Sequence, residues 1–172
     1  MAKSAKPKAR PTKNEKAKSG AKGQPNVEDF FYVRDYTGAL ALLEFRLKCQ
    51  DGDIKELMLW IGYAAFHLGN FRRAEEVYKQ LLDDHDVPTT VYLYLSCCYF
   101  FQQMYEEAQT AAEKGPSEPL KTRLLFNIAH RKGDETSLMQ YHQNLRDKKE
   151  DQLCLAAVHY LRSHHQEVKW NE

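Results

Sequence analysis

Proline is scarce beyond residue 25, where only Pro88, Pro116 and Pro119 occur. Cysteine is rare, and no apolar run approaches the ~18 residues a membrane-spanning helix needs. The N-terminus is charged and has no apolar core segment, which predicts no secretory signal. Ala2 stands where N-myristoylation requires glycine. Cys49, Cys97, Cys98 and Cys154 form no CxxC pair and read as thiols, acting mainly as small buried hydrophobes. Cys97 and Cys98 are neighbours on one helix, so their side chains diverge and a structural disulfide between them is not expected. Neither GxGxxG, GxxxxGK[ST] nor HExxH is present. His159, His164 and His165 have only Glu167 near them at ligand spacing, and the last two are expected in a turn, so they read as solvated rather than metal-binding. Glu75-Glu76 and Glu106-Glu107 read as solvated helix faces. The expectation is a protein that is not an enzyme and uses no cofactor or metal.

What is there begins with a charge asymmetry. The chain has 172 residues and a formal net charge of +1. Residues 1–26 carry seven Lys and one Arg against one Glu, a net +7. The remaining 146 residues carry 17 basic and 23 acidic side chains, a net −6. The first segment holds three Pro and two Gly, and its apolar side chains are Met1 and alanines. It cannot bury enough surface to offset its ordering entropy, so residues 1–26 are expected to be a disordered basic tail. Such an arm attracts acidic protein surfaces, nucleic acid or anionic lipid. It has no aromatic residue for base stacking.

From residue 27 onward apolar residues recur at spacings of three and four, the signature of helices. Gly52, Gly69, Pro88, Gly115-Pro116, Pro119 and Gly133 cut this body into short segments, and Ser117 ahead of Pro119 reads as a helix N-cap. LWIGYAAFHLGNFRRAEEVY (59–78) aligns with LYLSCCYFFQQMYEEAQTAA (93–112) at an offset of 34 residues. That is the tetratricopeptide period. Gly62 and Ser96 are the small residues that let two helices of a hairpin approach. Phe71 and Tyr105 open the second helix, and Ala74 and Ala108 follow three residues later for the tight crossing. Gly69 sits at the turn, where a positive φ costs it little.

Weaker copies flank this pair. Tyr36 and Ala39 repeat the second-helix spacing after a stunted first helix, and Leu138 replaces the alanine in the copy that turns at Gly133-Asp134. The expected units are residues 27–50, 55–86, 89–115, 117–146 and 150–172, the last incomplete, with His165 and Val168 at the aromatic and alanine positions. A solenoid needs a polar cap at its end. Here Leu153, Leu155, Ala156 and Val158 would be exposed unless Trp170 folds back, so the chain reads as a truncation, short isoform or incomplete gene product. The fold class is all-α: a right-handed tetratricopeptide solenoid of antiparallel hairpins over residues 27–172.

The wording between the repeat positions is more specific. RDYTGALALLEF, LWIGYAAFHLGNFRRA, YFFQQMYEEA, RLLFNIAHRKGDE and above all YHQNLRDKKEDQLCLAAVHYLRSH (141–164) resemble the intraflagellar transport protein 56 family, also called tetratricopeptide repeat protein 26. The resemblance runs from about Arg34 to Glu167, and VKWNE departs from it. It implies a non-enzymatic scaffold of the intraflagellar transport B complex that supports cilium assembly and motility-related cargo. The implied partners are other B-complex proteins and ciliary cargo, at the cilium, its base and the cytoplasm, without nucleic acid or membrane insertion.

In this repeat the first helices line a concave face. If the register holds, the groove receives Leu59, Tyr63, Phe66 and His67, then Leu93, Cys97, Phe100 and Phe101, then Arg123, Asn127, His130 and Arg131, and finally Leu153, Ala157 and Tyr160. Such a groove is aromatic in the middle and basic toward Arg123 and Arg131, which suits an amphipathic or acidic partner helix. Aromatics at helical spacing serve cores as well as interfaces, so Tyr63 and Phe101 are the better interface candidates than Phe66 and Phe100. A generic peptide-binding adaptor of the co-chaperone kind is the alternative, disfavoured because aromatics stand where its basic clamp would be.

Overall fold

The structure, a computed structural model, describes residues 26–84, 86–145 and 149–169, with side chains through residue 163. Residues 1–25 of the basic tail and Trp170 lie outside the described residues, as do the side chains of His164, His165, Glu167 and Val168; Asn26, counted with the tail in the sequence, is the cap of α1. Among the described residues there are nine helices and no strand. They are α1 (Val27–Tyr32), α2 (Tyr36–Cys49), α3 (Ile54–His67), α4 (Phe71–Leu82), α5 (Val91–Phe101), α6 (Tyr105–Lys114), α7 (Pro119–Lys132), α8 (Glu135–Asn144) and α9 (Lys149–Lys169). From α1 to α8 each packs mainly on its neighbours in the chain; α7 also reaches α5, and α9 rests mainly on α7. The result is a tetratricopeptide-like solenoid of consecutive hairpins.

Short polar side chains start the helices. Asn26, Asp35, Asp53, Asn70 and Asp134 each cap a helix, accepting from a backbone N–H in its first turn at 2.9–3.3 Å. Ser117 does not cap α7. Glu118 holds that position without a side-chain bond, and Pro119 supplies the first turn with its preset φ.

The turns inside the hairpins are built alike. Arg34, Gly69, Gln103 and Gly133 take φ of 59°, 78°, 65° and 71°. After each, the next residue's N–H reaches back five positions: Asp35 to Phe30, Asn70 to Ala65, Met104 to Tyr99 and Asp134 to Ala129, at 2.8–3.0 Å. These bonds satisfy carbonyls that the ending helix leaves open. Two of the four left-handed positions are not glycine, so the turn repeats more faithfully than its sequence does.

Packing at the crossings follows residue size. Ala39, Ala74 and Ala108 are fully buried, as is Leu138 at the corresponding place in α8. A Cβ on Gly62 would lie 2.5 Å from the Tyr78 ring. Thirty-four residues on from Tyr78 stands Ala112, and there the small position can carry a hydroxyl. Ser96 is fully buried and donates to the Ala108 carbonyl at 2.5 Å. A main core runs from α1 to α7, and a second gathers Phe126, Ala129, Leu138 and Val158.

Three expectations change at the C-terminal end and on the surface. The helix α9 runs through the turn expected near His164-His165. Val158 is not exposed but 2% accessible, because α9 lies back against α7 and α8. Glu75 is not simply solvated: it accepts from Lys79 at 2.6 Å and from Gln102, the residue that caps the end of α5, at 2.7 Å. Among the thiols Cys98 is buried, Cys97 and Cys154 are half-buried, and Cys49 is exposed.

Candidate partner-binding surface

The exposed aromatics arise from helical spacing on α3. Trp60, Tyr63 and His67 follow at intervals of three and four, so they share one stripe. Neighbouring rings hold them. Phe31 of α1 lies 5.2 Å from Trp60 and meets Tyr63 edge-on at 5.4 Å. Tyr36, the first residue of α2, stacks on His67 at 4.8 Å. Desolvation holds the His67 imidazole below its ordinary pKa, and it raises the Tyr63 phenol with help from Tyr36. His67 is therefore neutral near pH 7, and the stripe there is uncharged.

The stripe continues onto α5. Phe66 packs edge-on against Phe71 at 5.3 Å and Phe101 at 5.4 Å. Phe101 stacks on Phe71 at 4.9 Å with planes 15° apart, yet keeps 54% of its surface in solvent. Tyr105 supports the group through Phe100 at 5.8 Å. Phe66 and Phe100 are half-buried supports, whereas Tyr63, at 39%, and Phe101 present ring surface outward. Leu59 is half-buried on the same helix. It lines a cleft of about 310 Å³ with Glu56, Trp60, Tyr63, Tyr78 and Tyr94.

Other expected groove residues are engaged elsewhere. Leu93 has no exposed surface; it packs in the core, where the missing side chain of Gly115 makes room for it. Cys97 is half-buried, with its thiol raised to about 11 by desolvation. Arg123 faces α9 and pairs with the buried Asp151 at 3.4 Å. Asn127 donates to the Cys154 sulfur at 3.0 Å and to the Arg123 carbonyl at 2.7 Å. Arg123 and Asn127 thus fasten the last helix and do not form a basic end of the groove. Arg131 is exposed and His130 half-buried, while Leu153, Ala157 and Tyr160 are exposed on α9.

Sequence reasoning passed over Trp60 and Tyr94. Both are 40% exposed, and both line the cleft. Their signal was available, since they stand 34 residues apart at equivalent positions of two repeats.

The cleft offers flat aromatic rings with one carboxylate, Glu56, among its lining residues. Among the described residues no group of three or more His, Cys, Asp or Glu side chains is placed to hold a metal ion. No described helix is long and apolar enough to cross a membrane.

Comparison with known proteins agrees with the resemblance in the sequence. The model of the family described as intraflagellar transport protein 56 matches residues 58–169. The intraflagellar transport protein 56 homolog of Caenorhabditis elegans is 39% identical over 151 residues, which is 86% of this chain. The chain spans 26% of the length of that relative. The family match runs from within α3 to the end of α9, including Trp60, Tyr63 and Phe101 and the α7–α9 fastening, and on these grounds the chain belongs to the intraflagellar transport protein 56 family.

Proposed function

We propose that this chain acts as a non-enzymatic adaptor in the intraflagellar transport B complex, and that the stripe Trp60–Tyr63–Phe101 docks a helix of another train component. The supporting observation is the exposure of these rings on a surface whose undersides are locked by Phe31, Tyr36, Phe66 and Phe71. Rings already fixed in place lose little side-chain entropy on binding, and aromatic anchors dominate many interfaces. The proposed setting is the cilium, its base and the cytoplasm, with cargo tied to ciliary motility. With Arg123 neutralised by Asp151, the partner's apolar face carries the affinity.

The test is affinity capture from ciliated cells with the 172-residue chain, read by mass spectrometry. A Tyr63→Ala/Phe101→Ala chain that keeps its helical circular dichroism runs beside it. B-complex subunits enriched by the first and lost by the second support the reading. Equal enrichment by both moves the docking surface off the stripe. No enrichment by the folded parent sinks the adaptor role for this chain.

A further inference from the structure

The aromatic cleft opens onto a second one. Glu56 and Trp60 line both. The second cleft, about 220 Å³, also carries Glu28, Asp51 and Asp53, four exposed carboxylates against the single guanidinium of Arg46. A further wall residue is Asn26, the last residue of the basic segment and the first one described. The chain therefore enters the body at the edge of an acidic, aromatic-floored trough.

We propose that this trough binds the chain's own residues 1–24, with lysines paired to Glu56 and Asp51 and prolines laid against Trp60. Three observations converge. Charge is complementary, since residues 1–26 carry +7 and the body −6. Reach is ample: Lys22 lies four residues before Asn26, and at ~3.5 Å per residue it extends about 14 Å, enough for the near carboxylates. Chemistry matches, because KPKARPTK alternates cations with Pro7 and Pro11, and rings flanked by carboxylates are the surface that basic proline-bearing segments fit. Attachment at the trough's rim gives the tail an effective concentration in the millimolar range, so weak contacts suffice. The trough shares Trp60 with the docking stripe, and a partner that covers Trp60 competes with the tail. The proposal needs only the trough and the tail, so its failure leaves the adaptor reading standing.

Zero-length carbodiimide cross-linking of the intact chain tests it, using an equal mixture of isotopically light and heavy protein. Links from Lys13, Lys16, Lys18 or Lys22 to Glu56, Asp51 or Glu28 within one isotope class are the expected result. They fall at least severalfold between about 0.05 and 0.5 M salt, over which the screening length shrinks from about 14 to about 4 Å. They also fall when Glu56→Gln and Asp51→Asn are combined, a change confined to exposed side chains. A second readout is Trp60 fluorescence in a Trp170→Phe chain. Acrylamide quenching rises on the order of twofold when the four lysines become glutamine, as screening does for the parent at high salt. Links spread evenly over the body's carboxylates, links between light and heavy chains, or quenching indifferent to the lysines would each overturn it. Mixed links would assign the trough to the tail of a second copy.

Discussion

Gln103 holds φ at 65° where its counterpart 34 residues earlier is Gly69 at 78°. A side chain in the left-handed region costs about 1 kcal/mol or more that glycine avoids, partly offset by glycine's greater unfolded entropy. Gln103 is exposed, and its place is fixed by the backbone bond from Met104 to Tyr99. Gln103→Gly is therefore expected to stabilise the chain by about 0.5–1 kcal/mol. Urea unfolding followed by circular dichroism checks it, and a loss of stability would show that the turn is not under strain. Residues of this kind were half legible in the sequence. Gly69 and Gly133 announced their turns by type, but Arg34 and Gln103 gave no such signal, because hydrogen bonding of the ending helix imposes the conformation on whichever residue stands there.

At the scale of helices, Glu75 links α4 to the C-terminal cap of α5. Desolvation pushes its carboxyl up, but hydrogen bonds from Lys79 and Gln102 outweigh it and hold the group below its ordinary range. A carboxylate with a depressed pKa contributes stability that is full above its unfolded value and fades as pH falls through its folded value. Glu75→Gln is expected to cost about 1 kcal/mol at pH 7 and nothing once the pH lies below the folded value. Paired denaturation curves across pH 2–7 decide this; a pH-independent difference would assign the cost to packing instead. The amphipathic pattern of α4 was plain in the sequence, yet it gave Glu75 to solvent. Only the arrival of Gln102 from the next repeat makes it a bridge, and a distance across 27 residues is not written in local periodicity.

For the molecule as a whole, cohesion falls toward α9. The main core joins α1 to α7, whereas α9 is held by the small cluster around Val158 and by the Arg123–Asp151 and Arg162–Glu135 pairs. Its outer side leaves Leu153 at 67% exposure and Tyr160 at 69%. Hydrogen exchange is expected to be faster over residues 152–162 than over 59–68, because a locally attached helix opens without global unfolding. Val158→Ala removes about 1.6 kcal/mol of burial and should raise exchange over α9 roughly tenfold while α3 is unchanged. Equal protection of both helices in the parent chain would show that α9 belongs to the main cooperative unit.

The sequence by itself determined the all-helical repeat, because a 34-residue recurrence of small, aromatic and alanine positions is a local property of the chain. It also determined which hairpin residues open each second helix, since Tyr36, Phe71 and Tyr105 stand at the first position of α2, α4 and α6. The tertiary structure decided which side chains of the first helices face outward. Leu93 and Phe101 both belong to groove positions of one repeat, yet the first is fully buried beside Gly115 and the second stacks in the open on Phe71. It likewise turned Arg123 from a groove cation into the partner of Asp151, and made Trp60 and Tyr94 walls of one cleft. Repeat period fixes the angle of a residue around its own helix, whereas burial depends on the size of what the neighbouring helix brings to that spot.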